Sequence, residues 1–180
     1  NVQQDTRAFE EVLTSIQSEK ASEKTLLEAK VLLDRLYQRD PRYVGALINS
    51  ANISYRLGHV DDAKEHYVLA LTYLESLTSK PQSSAHFLVH IYHQLGLIMR
   101  EQGQFKQAEN YYRQALTLEP DNPKVIKNLA ILLDLYRGKL PDALVFYQQY
   151  QALVGESEPR LEDWIYDLKN RLPQEVTAHE

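Results

Sequence analysis

Residues 95–120 read LGLIMREQGQFKQAENYYRQALTLEP, and the spacing of Gly96, Gly103, Ala108, Tyr112, Ala115 and Pro120 within them decides the fold. The same spacing recurs on either side. Gly58, Gly103 and Gly138 are followed five residues later by Ala63, Ala108 and Ala143, and four further on by Tyr67, Tyr112 and Tyr147. Ala70, Ala115 and Tyr150 come next, and the small residues Ala51, Gly96 and Ala130 precede the glycines by seven, seven and eight positions. A fainter copy near the N-terminus places Leu13, Ile16, Ala29, Leu33 and Pro41 equivalently, with Lys24 where the glycine would stand. These matches define repeats at about 10–43, 44–77, 89–122 and 123–157, with an insertion at 78–88.

Each repeat reads as two helices. Val89, Tyr92, Leu95, Gly96 and Met99 recur at intervals of three and four, and Ala108, Tyr111, Tyr112, Ala115 and Leu116 mark a similar stripe beyond the glycine. Gly58, Gly103 and Gly138 stand where the first helix ends, a place that commonly takes the left-handed backbone conformation. RDP and EPDNP stop one repeat and open the next, because proline fits only the first turn of a helix. Gly96 and Ala108 allow close approach of the paired helices, and Tyr92 and Tyr112 fill the space beside them. Such a hairpin buries its apolar face only when another stacks on it.

The pattern Tyr92, Leu95-Gly96, Met99, Gly103, Ala108, Tyr112, Ala115, Pro120 resembles the tetratricopeptide repeat (TPR). Tyr92 replaces the family's Trp, Met99 its Tyr and Tyr112 its Phe; the repeat at 44 has Ser50 and Ser54 where Leu and Tyr are preferred. The resemblance implies an all-α fold: a right-handed α-solenoid of antiparallel helix pairs, the TPR superhelix, with a C-terminal capping helix. Residues 1–173 then form a single TPR domain, in which 158–172 are the cap and 174–180 a polar tail. In the cap, Leu161, Trp164, Ile165, Leu168 and Leu172 form one stripe, which would close the exposed end of the last hairpin.

Composition bounds the function. The 180 residues are 43% hydrophobic and 25% charged, with a net charge of -5 and no long basic block, which disfavours nucleic acid as a partner. No apolar run reaches the roughly 18–20 residues of a membrane-spanning helix. Zero cysteines exclude disulfides and thiol chemistry. Phosphate-binding glycine loops, nucleophile elbows, HExxH and calcium loops are all missing, so the sequence reads as non-catalytic and without a cofactor. His86, His90 and His93 lie on one helical stripe, where a pair such as His90 and His93 could share a metal ion; the three together span about 10 Å of rise, too far for one ion.

In TPR proteins the first helices line a concave groove. The resemblance places Asn49, Asn52, Tyr55 and Arg56 there, then His90, His93, Gln94 and Leu97, then Lys124, Lys127, Asn128 and Ile131. It implies a scaffold or adaptor that binds a peptide or domain of a partner protein; a self-associating subunit and a metal-binding module are the alternatives. Chaperone-binding TPR domains hold a C-terminal carboxylate with Lys and Asn on this surface. Lys124, Asn128 and Asn52 match polar places of that clamp, whereas Ile48, Gln94 and Asn128 depart from its residue types. The segment NLAILLDLYRGKLPDALVFYQQYQALVG with LEDWIYDLKNRL resembles exported TPR proteins of Gram-negative bacteria associated with TonB-type or pilus assembly systems. That resemblance implies a periplasmic setting and assembly of a cell-envelope complex, with a lipid anchor, if present, on residues before Asn1.

Overall fold

The computed structural model describes residues 10–16, 21–77 and 82–172. The expected tail at 174–180 and positions 78–81 of the insertion lie outside them. Helical residues 10–16 (α1) precede α2 (Glu23–Arg39), α3 (Val44–Arg56), α4 (Val60–Ser76), α5 (Gln82–Glu101), α6 (Phe105–Leu118) and α7 (Pro123–Ile131). A π-helical turn, Leu132–Tyr136, continues α7; α8 (Leu140–Val154), a 3₁₀ turn (Gly155–Ser157) and α9 (Leu161–Arg171) complete the described elements. The fold is all-α, with no strand among the described residues.

Local chemistry sets the helix ends. Ser22 caps α2 by accepting from Thr25 N at 3.1 Å, and Asn122 caps α7 by accepting from Val125 N at 3.2 Å, with Pro123 in the first turn. Gly58, Gly103 and Gly138 have φ of 78°, 73° and 62°, the left-handed conformation that the repeat pattern requires of them. The insertion lengthens a helix: α5 has 20 residues where α3 has 13, and its first turns carry insertion residues from Gln82 to Leu88.

The chain divides into two compact units, residues 1–91 and 92–180. In the first, Val12 and Ile16 of α1 pack with Leu26, Ala29 and Leu33 of α2 and Ala46 and Ile53 of α3 in one apolar cluster. In the second, Tyr112 is completely buried and its ring lies where a Cβ on Gly96 would meet Cε1 at 2.4 Å. Only hydrogen at position 96 lets α5 and α6 pack this closely. Leu161, Ile165 and Leu168 bury one face of α9, whereas Trp164, expected on the same stripe, is only half-buried.

Candidate functional site

In the first unit, Asn52 is a junction. Its Oδ1 accepts from Tyr67 OH of α4 at 2.5 Å and from His90 Nε2 of α5 at 2.7 Å, which assigns the proton of His90 to Nε2. The rings of Tyr67 and His90 meet edge to face, 6.1 Å between centroids. Burial pushes the Tyr67 phenol far above its usual range, so it stays a neutral donor. Asn49 donates from Nδ2 to Gly45 O of its own helix at 2.8 Å, and Tyr55 is half-buried. Arg56 reaches to α1, where Nη1 donates to Ile16 O at 2.5 Å, a carbonyl in the last described turn of that helix.

The second unit has a comparable junction at Asn128. Its Nδ2 donates to His93 Nε2 at 2.9 Å and to Lys124 O at 3.0 Å, while Oδ1 accepts from Arg100 Nη1 at 3.4 Å. Nε2 of His93 is therefore the acceptor, and the ring is neutral in this arrangement. Lys124 is exposed, Leu97 and Ile131 are half-buried, and Gln94 Oε1 is buried with no hydrogen-bond partner among the described residues. Lys127 turns toward the cap: Nζ pairs with Glu158 and lies 5.5 Å and 5.4 Å from the ring centres of Tyr150 and Trp164. The hydrogen bond from Lys127 holds the Glu158 carboxyl below the usual carboxylate range.

Among the twelve positions, the side chains of Asn52 and His90 are hydrogen-bonded to each other, as are those of His93 and Asn128, and Asn128 also bonds to the Lys124 carbonyl. Arg56 and Lys127 are engaged with α1 and with the cap. The Nε2 atoms of both histidines lie within hydrogen-bond distance of Asn side chains. Among the described residues no group of three metal-binding side chains converges.

Three clusters join residues that the sequence alone does not bring together. Ser50 Oγ donates to Asp34 Oδ1 at 2.5 Å and lies 3.3 Å from His66 Nδ1, with Lys30 Nζ 2.8 Å from Asp34 Oδ2. These are the residue types of a hydrolytic triad in the wrong order. A nucleophilic serine needs the imidazole to take its proton and an open approach, whereas Ser50 donates its hydrogen bond to the carboxylate and is completely buried. Burial, aided by Lys30, pushes the His66 imidazole down and keeps it neutral.

Glu109 of α6 is also buried. It accepts from Lys139 Nζ at 2.9 Å, Arg113 Nη2 at 3.1 Å and Arg137 Nε at 3.1 Å. Burial raises its pKa, yet the hydrogen bonds from Lys139, Arg113 and Arg137 together outweigh that and hold the carboxyl below its usual value. The spacing of Glu109 and Arg113 by one helical turn was legible; the pairing with Arg137 and Lys139, about thirty positions away, was not. The third cluster joins the π-helical turn to the cap: Arg171 Nη2 lies 2.8 Å from Asp134 Oδ1, and Tyr147 OH donates to Asp134 Oδ2 at 3.3 Å.

A family model described as tetratricopeptide repeat matches residues 89–122. Two uncharacterized TPR repeat-containing proteins of Arabidopsis thaliana are each 31% identical to the chain over 102 residues, 57% of this chain. The match spans only 12% of the length of each of those relatives. Among solved structures, MamA superposes with a TM-score of 0.68 at 17% identity, covering 86% of this chain and 83% of that one. Pseudomonas aeruginosa pilF gives 0.68 at 20% identity, covering 92% and 68%. YrrB, described as a TPR protein with an unusual peptide-binding site, gives 0.63 at 17% identity, covering 82% and 71%. At these identities the structures establish the shared fold, and within it residues 89–122 form a tetratricopeptide repeat.

Proposed function

We propose that the chain is a non-catalytic adaptor that binds a segment of a partner protein on the surface of its first helices. One observation carries this reading. The first helices are dry on the side that packs, with Val125, Ile126, Leu129 and Ala130 of α7 buried, but keep His93, Asn128 and the exposed Lys124 together on another side. Amide, imidazole and ammonium groups in such a row offer donors and acceptors to a peptide backbone or to carboxylates. Half-buried Leu97 adds apolar contact.

The experiment is site-specific photo-crosslinking in cells of the source organism. A photoreactive side chain at Leu97 should capture a discrete protein partner, and Lys124→Glu in the same chain should reduce the yield. The same group at Val145, 60% exposed on α8, should not capture that partner. Capture from Val145 alone would move the binding surface to the second helices. The periplasm and a role in assembling an envelope complex are proposed on the resemblance of the C-terminal third, and cell fractionation tests the compartment. Self-association is a second reading, favoured by Leu27, Val31 and Leu32 of α2, which are 42%, 48% and 42% exposed. Sedimentation at rising concentration tests it.

A further inference from the structure

The fourth repeat has one residue more than the others between its small residue and its glycine, and the structure shows where that residue goes. The π-helical turn Leu132–Tyr136 absorbs it: Arg137 N donates to Leu132 O, five residues back, at 3.0 Å. The wider turn leaves Leu135 63% exposed and turns Asp134 inward, its side chain 5% exposed. Between this turn and α9 lies a cavity of about 510 Å³. Ile131, Leu135, Tyr147 and Trp164 form its apolar walls, and the charged lining groups are Asp134, Asp163, Asp167 and Arg171.

Three carboxylates thus face one guanidinium. Arg171 already seats a cation here, with Nη2 2.8 Å from Asp134 and Nε 2.8 Å from Asp167. Asp163 is exposed one turn before Asp167 on the same face of α9 and adds a further negative charge at the rim. The combination of an apolar cavity with excess negative charge at its edge is complementary to one kind of ligand. We infer that this cavity is a second docking site, which takes an aromatic or aliphatic side chain flanked by Lys or Arg from a peptide segment of a partner protein. The apolar side chain fills the space between Leu135 and Trp164, and the flanking cation pairs with Asp163 and Asp167. The site touches the first-helix positions only through Ile131, and the surface proposed above carries the cation of Lys124 instead of an acidic rim, so the two readings are tested separately.

Trp164 is the chain's only tryptophan, so its indole N–H gives a single resonance from a ring that walls this cavity. The probes are capped pentapeptides Gly-Lys-Phe-Lys-Gly, Gly-Glu-Phe-Glu-Gly and Gly-Ser-Phe-Ser-Gly, titrated into the labelled full chain. The Lys peptide should shift the indole resonance saturably, about tenfold more tightly than the Glu peptide, with the Ser peptide between them. Leu135→Ser and Asp163→Asn change exposed positions, and each should weaken the Lys peptide severalfold while the far-ultraviolet circular dichroism melt stays at that of the parent. Equal response to Lys and Glu peptides, no response at millimolar Lys peptide, or unchanged affinity in both variants would overturn the proposal. So would an indole shift that follows protein concentration without peptide, which would make a second copy of the chain the occupant.

Discussion

The hairpins of α5 with α6 and of α7 with α8 are built on one repeat pattern and differ by a single residue between the small residue and the glycine. In the first, α5 runs as regular α-helix to Glu101, and Gly96 meets the buried ring of Tyr112. In the second, α7 gives way to the π-helical turn, and Tyr147, the counterpart of Tyr112, hydrogen-bonds to Asp134. The closing turns are nonetheless alike, with Gly103 and Gly138 both left-handed. An added residue was accommodated without changing how the hairpin closes; it widened one turn and exposed Leu135 and Tyr136 instead. The packed side of a repeat is thus fixed by steric fit, while the far end of the first helix can vary and acquire a cavity.

The largest effect should come from removing the ring that defines the regular hairpin. Tyr112→Ala should cost about 3–5 kcal/mol in urea unfolding, because a completely buried aromatic leaves a cavity that its neighbours cannot close. A cost below about 1 kcal/mol would mean that the two hairpins do not share a packing principle.

Gly96→Ala comes next. Alanine is favoured over glycine in a helix by about 1 kcal/mol, yet the new methyl would sit 2.4 Å from Tyr112 Cε1 and 2.6 Å from Cδ1. A buried ring has little room to yield, so a net loss of about 1–3 kcal/mol should appear in the melt. Stabilisation by this change would show that the close approach is not required.

The two hairpins are tied together by Glu109, whose cations Arg137 and Lys139 belong to the turn before α8. A carboxylate whose folded pKa is depressed contributes stability that is complete above its ordinary value, 4.5, and is lost as pH falls through the folded value. Unfolding free energy should therefore drop on acidification below that value, and the drop should be shallower in Glu109→Gln. Arg113 and Lys139 are 45% and 40% exposed, which limits each of those pairs to about 1 kcal/mol or less. Identical acid limbs for the two proteins would remove Glu109 as the tie.

The smallest effect on stability should come from deleting Leu135. Shortening the first helix of the last repeat by one residue should convert its π-helical turn into regular α-helix and change stability by within about 1 kcal/mol, since the lost side chain is mostly exposed. Circular dichroism should show the helix content retained. A collapse of the fold would mean that the turn is required for the hairpin, which would erase the distinction drawn between them.

The sequence by itself determined the helix-hairpin architecture. Its information lies in short-range spacing: a small residue opposite a ring, a glycine where φ must be positive, and a proline where a helix must start. Gly103 and Pro123 act through sterics within one or two turns of chain, and Gly96 acts against Tyr112 of the next helix at a spacing the repeat holds constant, so their meaning can be read without coordinates. The extra residue before Gly138 was also legible as a count, but not as a π-helical turn with Asp134 turned inward. Only tertiary structure decided which polar groups meet. Asn52 with His90, Glu109 with Lys139 and Asp134 with Arg171 are separated by about 30 to 40 positions. Whether such groups lie within about 3 Å depends on helix rotation and crossing, which spacing along the chain does not encode. The same holds for Arg56 and Lys127, two cations on first helices that the folded chain directs to Ile16 and Glu158.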